Sequence, residues 1–415
     1  MTMLSTPMPM ADLTHQYLDL EEQYGAHNYH PLPVVLNRGK GVFVWDVEGR
    51  RYFDFLSGYS ALNQGHCHPR IVAALTEQAT RLTLTSRAFY SDQLGEYCRY
   101  MHSYFGYDKI LPMNTGVEAV ETAIKLCRRW GYTVKGIPEN KARIIVCAGN
   151  FHGRTSTVIS FSTDPGSTRA FGPYAPGFTI IPYNDIPSLR QALDDPDIAG
   201  FLVEPIQGEA GVIVPDDGYL RAAAQLCGEQ HVLFIADEIQ TGLARTGRLL
   251  ACDHEAVRPD VLILGKALSG GMLPVSAVLA DNEIMLTIGP GEHGSTYGGN
   301  ALACHVAMEA LQVLKDEGLA ENAAELGEFF RRELRAMQSP YVREVRGKGL
   351  LNAIVIDHQR PDAAWELCLA LMHNGLLAKP THGDKIRLAP PLVITQAEVT
   401  ECVAIIRSSL DSLDR

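Results

Sequence analysis

The middle of the chain is built from short apolar runs separated by mixed stretches. ARIIVCAG (Ala142–Gly149), FTIIPY (Phe178–Tyr183), AGFLVEPI (Ala199–Ile206), HVLFIAD (His231–Asp237) and DVLILG (Asp260–Gly265) are strand-like, with apolar runs bounded by Gly and polar residues. Runs of this length without alternation fit strands covered on both faces of a parallel sheet. DGYLRAAAQLCGEQ (Asp217–Gln230) separates two of them and repeats its apolar positions at helical spacing. The alternation predicts an α/β layered fold with right-handed connections. Upstream, GVFVWDVEGRRYFDF (Gly41–Phe55) alternates about a Glu48-Gly49 turn and predicts a hairpin, and HPRIVAALTEQATRL (His68–Leu82) predicts a helix.

NTGVEAVETAIKLCRRWGY (Asn114–Tyr132) holds the clearest helix start. Asn114 and Thr115 are good caps, Gly116 admits close approach of a ligand, and Val117, Val120, Ile124 and Cys127 form one stripe. GEHGSTYGGNALACHVAMEALQVL (Gly291–Leu314) passes from a Gly-rich loop into a long helix. After residue 314 the pattern changes to two amphipathic helices, the strands GLLNAIVID and KIRLAPPLVIT, and a final helix, which together predict a smaller α+β domain. The expected division is an N-terminal segment 1–60 contributing to the small domain, a large domain 61–314, and a small domain 315–415.

Composition narrows the function classes. A formal charge of −12 over 415 residues argues against nonspecific nucleic-acid binding, which requires a concentrated basic surface. Nine scattered cysteines without a C-x-x-C pair fit reduced, buried thiols. His66-Cys67-His68 reads as a turn before Pro69 rather than a metal clip, and no metal site is expected. The first residues show no secretory signal and no Arg-rich transit pattern, so a cytoplasmic protein is expected. No apolar run approaches the roughly 18 residues that a membrane span needs.

Candidate chemistry clusters where the apolar runs end. Ligands of parallel sheets sit beyond the carboxyl ends of the strands, which is where Asp237 and Lys266 fall. An acid and a lone amine facing one pocket are what pyridoxal phosphate needs, for its ring nitrogen and its aldehyde respectively. Thr115-Gly116-Val117 at a helix start and Ser295-Thr296 in the Gly-rich loop could hold a phosphate. Phe151 stands where a ring could stack on a planar cofactor. Arg154 and Arg387 have the shape for carboxylates, and Glu209 lies just past another strand. Neither a P-loop nor a G-x-G-x-x-G after a strand is present, which argues against a nicotinamide-dependent dehydrogenase.

FHGRT, VEPIQGEAGV, LFIADEIQTGLARTGR, DVLILGKALSGG, GEHGSTYGGN, RGKGLLNAIVI and LLAKPTHGDKIRLAPPLVI, with the Asn114 block, closely resemble the ornithine aminotransferases. These are class III, fold-type I pyridoxal-phosphate enzymes, and the resemblance runs from about Tyr24 to the C-terminus. It implies a large domain whose mostly parallel seven-stranded sheet lies between helices, and a smaller α+β domain. It also implies that Lys266 binds the cofactor covalently and shuttles a proton, and that Asp237 keeps the ring nitrogen protonated. Gln240 would bond the ring's phenolic oxygen, Phe151 would stack, and Thr115, Gly116 and Val117 would cradle the phosphate. Ser295 and Thr296 would complete the cradle from the partner subunit of a homodimer with shared sites, which could assemble further.

For substrate, the resemblance implies that Arg387 and Arg154 hold the two carboxylates of 2-oxoglutarate. Glu209 would cover Arg387 while ornithine reacts through its δ-amine, held near Tyr29 and Arg154, with Tyr59 narrowing the pocket. Other ω-aminotransferases acting on acetylornithine or 4-aminobutyrate, and a same-fold aminomutase, would share the cofactor residues.

Overall fold

In the computed structural model, which describes residues 13–413, a seven-stranded sheet lies at the centre of the molecule. We label its strands in chain order: β1 (Lys109–Met113), β2 (Arg143–Cys147), β3 (Phe178–Ile181), β4 (Ile198–Val203), β5 (Leu233–Asp237), β6 (Val261–Leu264) and β7 (Ser276–Ala280). Their order across the sheet is β1-β7-β6-β5-β4-β2-β3. Neighbours from β6 through to β3 pair in parallel, and β7 runs antiparallel to both of its neighbours.

β4, β5 and β6 are buried at every position, which explains their unbroken apolar sequences. Truncating Leu262, Ile263 or Leu264 to Ala would cost about 2–5 kcal/mol, because each is fully buried in a packed layer. The sequence pattern gave no sign of β1 or β7. Pro112 interrupts β1, and it is tolerated because β1 is an edge strand. β7, Ser-Ala-Val-Leu-Ala, is short and rich in Ala, a weak strand former.

The helix Gly116–Trp130 starts as its sequence predicts. Thr115 is its cap: Thr115 Oγ1 accepts from Glu118 N–H, and Glu118 Oε2 accepts from the N–H groups of Asn114 and Thr115 at 2.9 Å each. Its apolar face presses closely on the sheet. A Cβ at Gly200 of β4 would lie 2.5 Å from Cys127 Sγ, so only glycine fits there.

The hairpin predicted over Gly41–Phe55 is present as Phe43–Asp46 and Arg51–Asp54, and Leu376–Leu377 near the other end of the chain pairs in parallel with its second strand. A third sheet of four strands carries Arg387 on Lys385–Leu388, paired with Leu351–Ile356. One apolar cluster runs from Leu262 and Leu264 of β6 through Leu326, Ile354 and Leu388 to Ile406. The sheet bearing Arg387 is thereby packed firmly against the central one. Because β2, β4, β5 and β6 run in the same direction, Phe151, Glu204, Asp237 and Lys266 all emerge at one edge.

Candidate active site

A cavity of about 180 Å³ opens at that edge, lined by Gly116, Val117, Phe151, His152, Glu204, Glu209, Asp237, Ile239, Gln240 and Lys266, among others. Lys266 follows Gly265 at the end of β6, adopts a left-handed φ of 44° and lines the cavity. Burial pushes the Lys266 amine below its ordinary pKa, and the positive charge of Arg387 adds to the shift. The carboxylates of Glu209, Asp237 and Glu204 offset part of it.

Asp237 ends β5 and is buried. Its Oδ2 lies 2.6 Å from His152 Nδ1, and its Oδ1 accepts from Ile239 N–H at 3.1 Å. Burial alone would lower the His152 pKa. The hydrogen bond and charge of Asp237, with Glu204 beyond, reverse this and raise it. Glu204 Oε1 accepts from Phe151 N–H at 2.8 Å, and Oε2 accepts from Gly208 N–H at 3.4 Å. Its carboxyl is pushed up to about 7 by burial, against the opposing influence of His152.

His152 and Glu204 are site residues that the sequence reading did not single out. Glu204 carried a usable signal, since an acid follows the apolar run of β4 as Asp237 ends that of β5. His152 carried none beyond its place next to Phe151.

A second group forms above this floor. Arg387 is buried, and its Nη1 donates to Glu209 Oε1 at 2.7 Å. Burial would raise the Glu209 pKa, but Arg387, Lys266 and the hydrogen bond from Gln240 bring it below the ordinary value. Thr381 Oγ1 donates to the Glu209 carbonyl at 2.6 Å and fixes the backbone beneath this pair. The Arg387 guanidinium sits 5.0 Å from the centre of the Tyr59 ring. Tyr59 reaches it from an unusual turn: Ser57, Gly58, Tyr59 and Ser60 all have left-handed φ values, 50°, 55°, 60° and 71°. Such residues cost about 1–2 kcal/mol each when not glycine. Asp54 Oδ1 offsets this by accepting from Leu56 and Ser57 N–H at 2.9 Å each, and Ser57 Oγ donates to Ala389 O at 2.7 Å.

Most of the remaining expected residues lie outside the cavity lining. Thr115 is exposed and caps the helix, with Gly116 and Val117 facing the cavity in its place. Arg154 is exposed, 5.5 Å over the Phe151 ring, with Nη1 3.4 Å from Ser167 Oγ. Tyr29 is 67% exposed, too open to close a site within one chain. Ser295 Oγ accepts from Asn114 Nδ2 at 2.7 Å, and Thr296 beside it is exposed. Gln240 lines the cavity, but its amide bonds Glu209 and Arg387. His66 and His68 pair with Asp54 and Glu317, and no cluster suited to a metal occurs among the described residues. Among these residues no helix is long and apolar enough to cross a membrane.

The floor fits pyridoxal phosphate. It offers an amine of lowered pKa and a buried acid held by a histidine. It also offers a helix N-terminus where a Cβ on Gly116 would already press to 3.1 Å on Ile239, leaving the backbone N–H groups open to a phosphate.

Comparison with known proteins agrees. A family model described as aminotransferase class-III matches residues 24–410. The mitochondrial ornithine aminotransferase of Rattus norvegicus is 65% identical over 390 residues, 94% of this chain and 89% of its own. The ornithine aminotransferase of Schizosaccharomyces pombe is 56% identical, covering 96% of this chain and 94% of its own. Among solved structures, the ornithine aminotransferase of Toxoplasma gondii, described with PLP at its active site, matches with TM-score 0.95 at 51% identity, over 97% of this chain and 95% of its own. An acetylornithine aminotransferase from Elizabethkingia anophelis matches with TM-score 0.89 at 62% identity, over 96% and 98% of the two chains.

The comparisons correct one expectation. Relatives from rat, Drosophila melanogaster and Caenorhabditis elegans are named mitochondrial, which overturns the cytoplasmic assignment. Receptors read a protein's cellular address from targeting segments, and nothing in the chemistry of the folded site encodes it. Residues 1–12, on which that assignment leaned, lie outside the described residues. With lysine, acid and helix start converging at one sheet edge and relatives matching over nearly its whole length, the chain belongs to the pyridoxal-phosphate-dependent class-III aminotransferases.

Proposed function

We propose that the enzyme transfers the δ-amino group of L-ornithine to 2-oxoglutarate, giving glutamate 5-semialdehyde, which cyclises to pyrroline-5-carboxylate, and glutamate. The observation that carries this reading is the Glu209–Arg387 pair, 2.7 Å apart beside Lys266. When bound, pyridoxal phosphate supplies an aldehyde that carries the amino group between substrates and a ring that accepts electrons from the carbon losing its proton.

Lys266 Nζ takes the proton from the amine-bearing carbon and returns it on the cofactor side, a role that a lowered pKa favours. Asp237, oriented by His152, would pair with the ring nitrogen and keep it protonated. Phe151 would pack on the ring, and Gly116 and Val117 would hold the phosphate. In the first half-reaction Glu209 neutralises Arg387, so no cation awaits an α-carboxylate and ornithine enters δ-amine first. Its α-amino acid end is then held by Tyr29 and Arg154, with Tyr59 narrowing the space. In the second half-reaction Glu209 swings off, and Arg387 and Arg154 take the two carboxylates of 2-oxoglutarate. Each state of this gate leaves no buried charge unpaired, which is what makes it switchable.

The same reading includes a homodimer. Thr296 and Tyr297 are exposed on a loop tied down by Asn114, and Phe89 and Tyr90 stand in solvent at 75% and 104% exposure. Exposed aromatics of this kind suit an interface between copies, with Ser295 and Thr296 completing the partner's phosphate cradle. Residues 315–415, bearing Arg387, would serve as the smaller domain, joined by 1–60.

A second reading, transfer from acetylornithine, is favoured by the 62% identity to the Elizabethkingia anophelis enzyme. Rates on ornithine, acetylornithine and 4-aminobutyrate, each with 2-oxoglutarate, decide between them. Ornithine is expected to be fastest and to yield the semialdehyde. Faster turnover of acetylornithine would overturn the ornithine assignment, and turnover without 2-oxoglutarate would point to an aminomutase.

A further inference from the structure

Gln240 stands between the cavity and the gate. Its Nε2 donates to Glu209 Oε1 at 3.0 Å, and its Oε1 accepts from Arg387 Nη1 at 3.4 Å. Reversing the amide would set N–H against the guanidinium and oxygen against the carboxylate, so the ion pair itself fixes the orientation. The amide is buried, and it has room because position 208 carries no side chain. A Cβ on Gly208 would lie 1.6 Å from Gln240 Oε1 and 2.6 Å from its Cδ. Gly208 is absent from the glycines with positive φ, so what this position requires is space and not backbone freedom. Glu204 Oε2 holds the Gly208 N–H at 3.4 Å, and the Gly208 carbonyl faces Arg387 Nη1 at 3.5 Å.

We infer that Gln240, seated against Gly208, is the latch of the gate: a positioning residue that holds Glu209 on Arg387 and so sets how often Arg387 meets an α-carboxylate. The inference rests on the gate reading above. Among the described residues the Glu209 carboxylate has two side-chain hydrogen-bond partners, Arg387 and Gln240, and losing the second weakens the closed state while leaving the ion pair intact. Substrate choice then shifts from the δ-amine toward the α-amine. Gly208 becomes a specificity position without touching substrate, because any side chain there displaces the latch.

Glutarate, a dicarboxylate with neither amino nor keto group, reports the open state without reacting. Its binding to the holoenzyme, measured by calorimetry, is compared for wild type, Glu209→Ala, Gln240→Ala, Gly208→Ala and the Gln240→Ala/Glu209→Ala double variant. Glu209→Ala should tighten glutarate most. Gln240→Ala and Gly208→Ala should each tighten it about 3- to 10-fold, the net worth of one hydrogen bond. The double variant should match Glu209→Ala alone, since a latch acts only through the residue it holds. Both latch variants should also raise the ratio of α- to δ-amino transfer. If Glu209→Ala tightens glutarate while Gln240→Ala leaves it unchanged or weaker, the latch is wrong and the gate stands. If Glu209→Ala itself has no effect, the gate reading falls and the latch with it. Should Gly208→Ala not fold, Gln240→Ala alone decides.

Discussion

The floor and the rim of this site are built by opposite means. The floor, comprising Lys266, Asp237, His152, Glu204 and Phe151, emerges from the ends of parallel strands in one packed sheet, where Glu204 holds the N–H groups of Phe151 and Gly208 and Asp237 holds His152 at 2.6 to 3.4 Å. The rim, comprising Tyr29, Tyr59, Arg154, Ser295 and Thr296, hangs on loops and a strained turn, and much of it is exposed. A sheet fixes direction and depth through its register, so it suits groups that must meet a reacting atom. Loops tolerate change and exposure, so they suit the parts that choose a substrate or await a second copy.

This contrast predicts graded losses. Lys266→Ala should lower turnover at least about 10³-fold, because in the proposed mechanism both the covalent anchor and the proton carrier go. Single-turnover kinetics check it, and substantial residual turnover would remove Lys266 from the floor. His152→Leu should cost about 10-fold or more in kcat with little change in the KM for ornithine, since it acts through Asp237. An effect confined to KM would move His152 to the rim.

Glu209→Ala, on the boundary between the two regions, should raise the ratio of α- to δ-amino transfer about 10-fold, read from competing amine products. Ser295→Ala should have the smallest catalytic effect, weakening cofactor affinity about 3-fold while leaving kcat on saturating cofactor unchanged.

A stability measurement sharpens the contrast from another side. Glu204 holds its proton up to about pH 7 when folded, against the ordinary value of 4.5. Between these limits the folded state binds more protons than the unfolded one, so stability falls as pH rises through that window and the group adds no further change above it. Glu204→Gln should flatten this decline in denaturant titrations. An unchanged slope would mean that the buried floor does not carry the titration.

Much of the floor was legible in the sequence, because a buried parallel strand must be an unbroken apolar run and the residue that ends it must face the ligand edge. Asp237 and Lys266 announce themselves in this way, and the start of the Gly116 helix does so through its cap. Glu204 obeys the same rule, five residues before the more conspicuous Glu209. β1 and β7 were hidden by Pro112 and by a short Ala-rich run, since neither depends on alternation or propensity once the neighbouring strands are in place. The resemblance supplied the roles of Tyr29, Arg154 and Arg387, which no local pattern marks.

What the sequence alone determined is therefore the set of strands with two covered faces, the capped helix between them, and the acid and amine at their ends, because burial and capping are written in near neighbours. What only the tertiary structure decided is who meets whom across the chain: His152 on Asp237, Gln240 wedged over Gly208 against Glu209, Arg387 brought from a different sheet, and a left-handed turn aiming Tyr59 at it. Those contacts join residues tens to hundreds of positions apart. Their geometry depends on packing that a linear pattern does not contain.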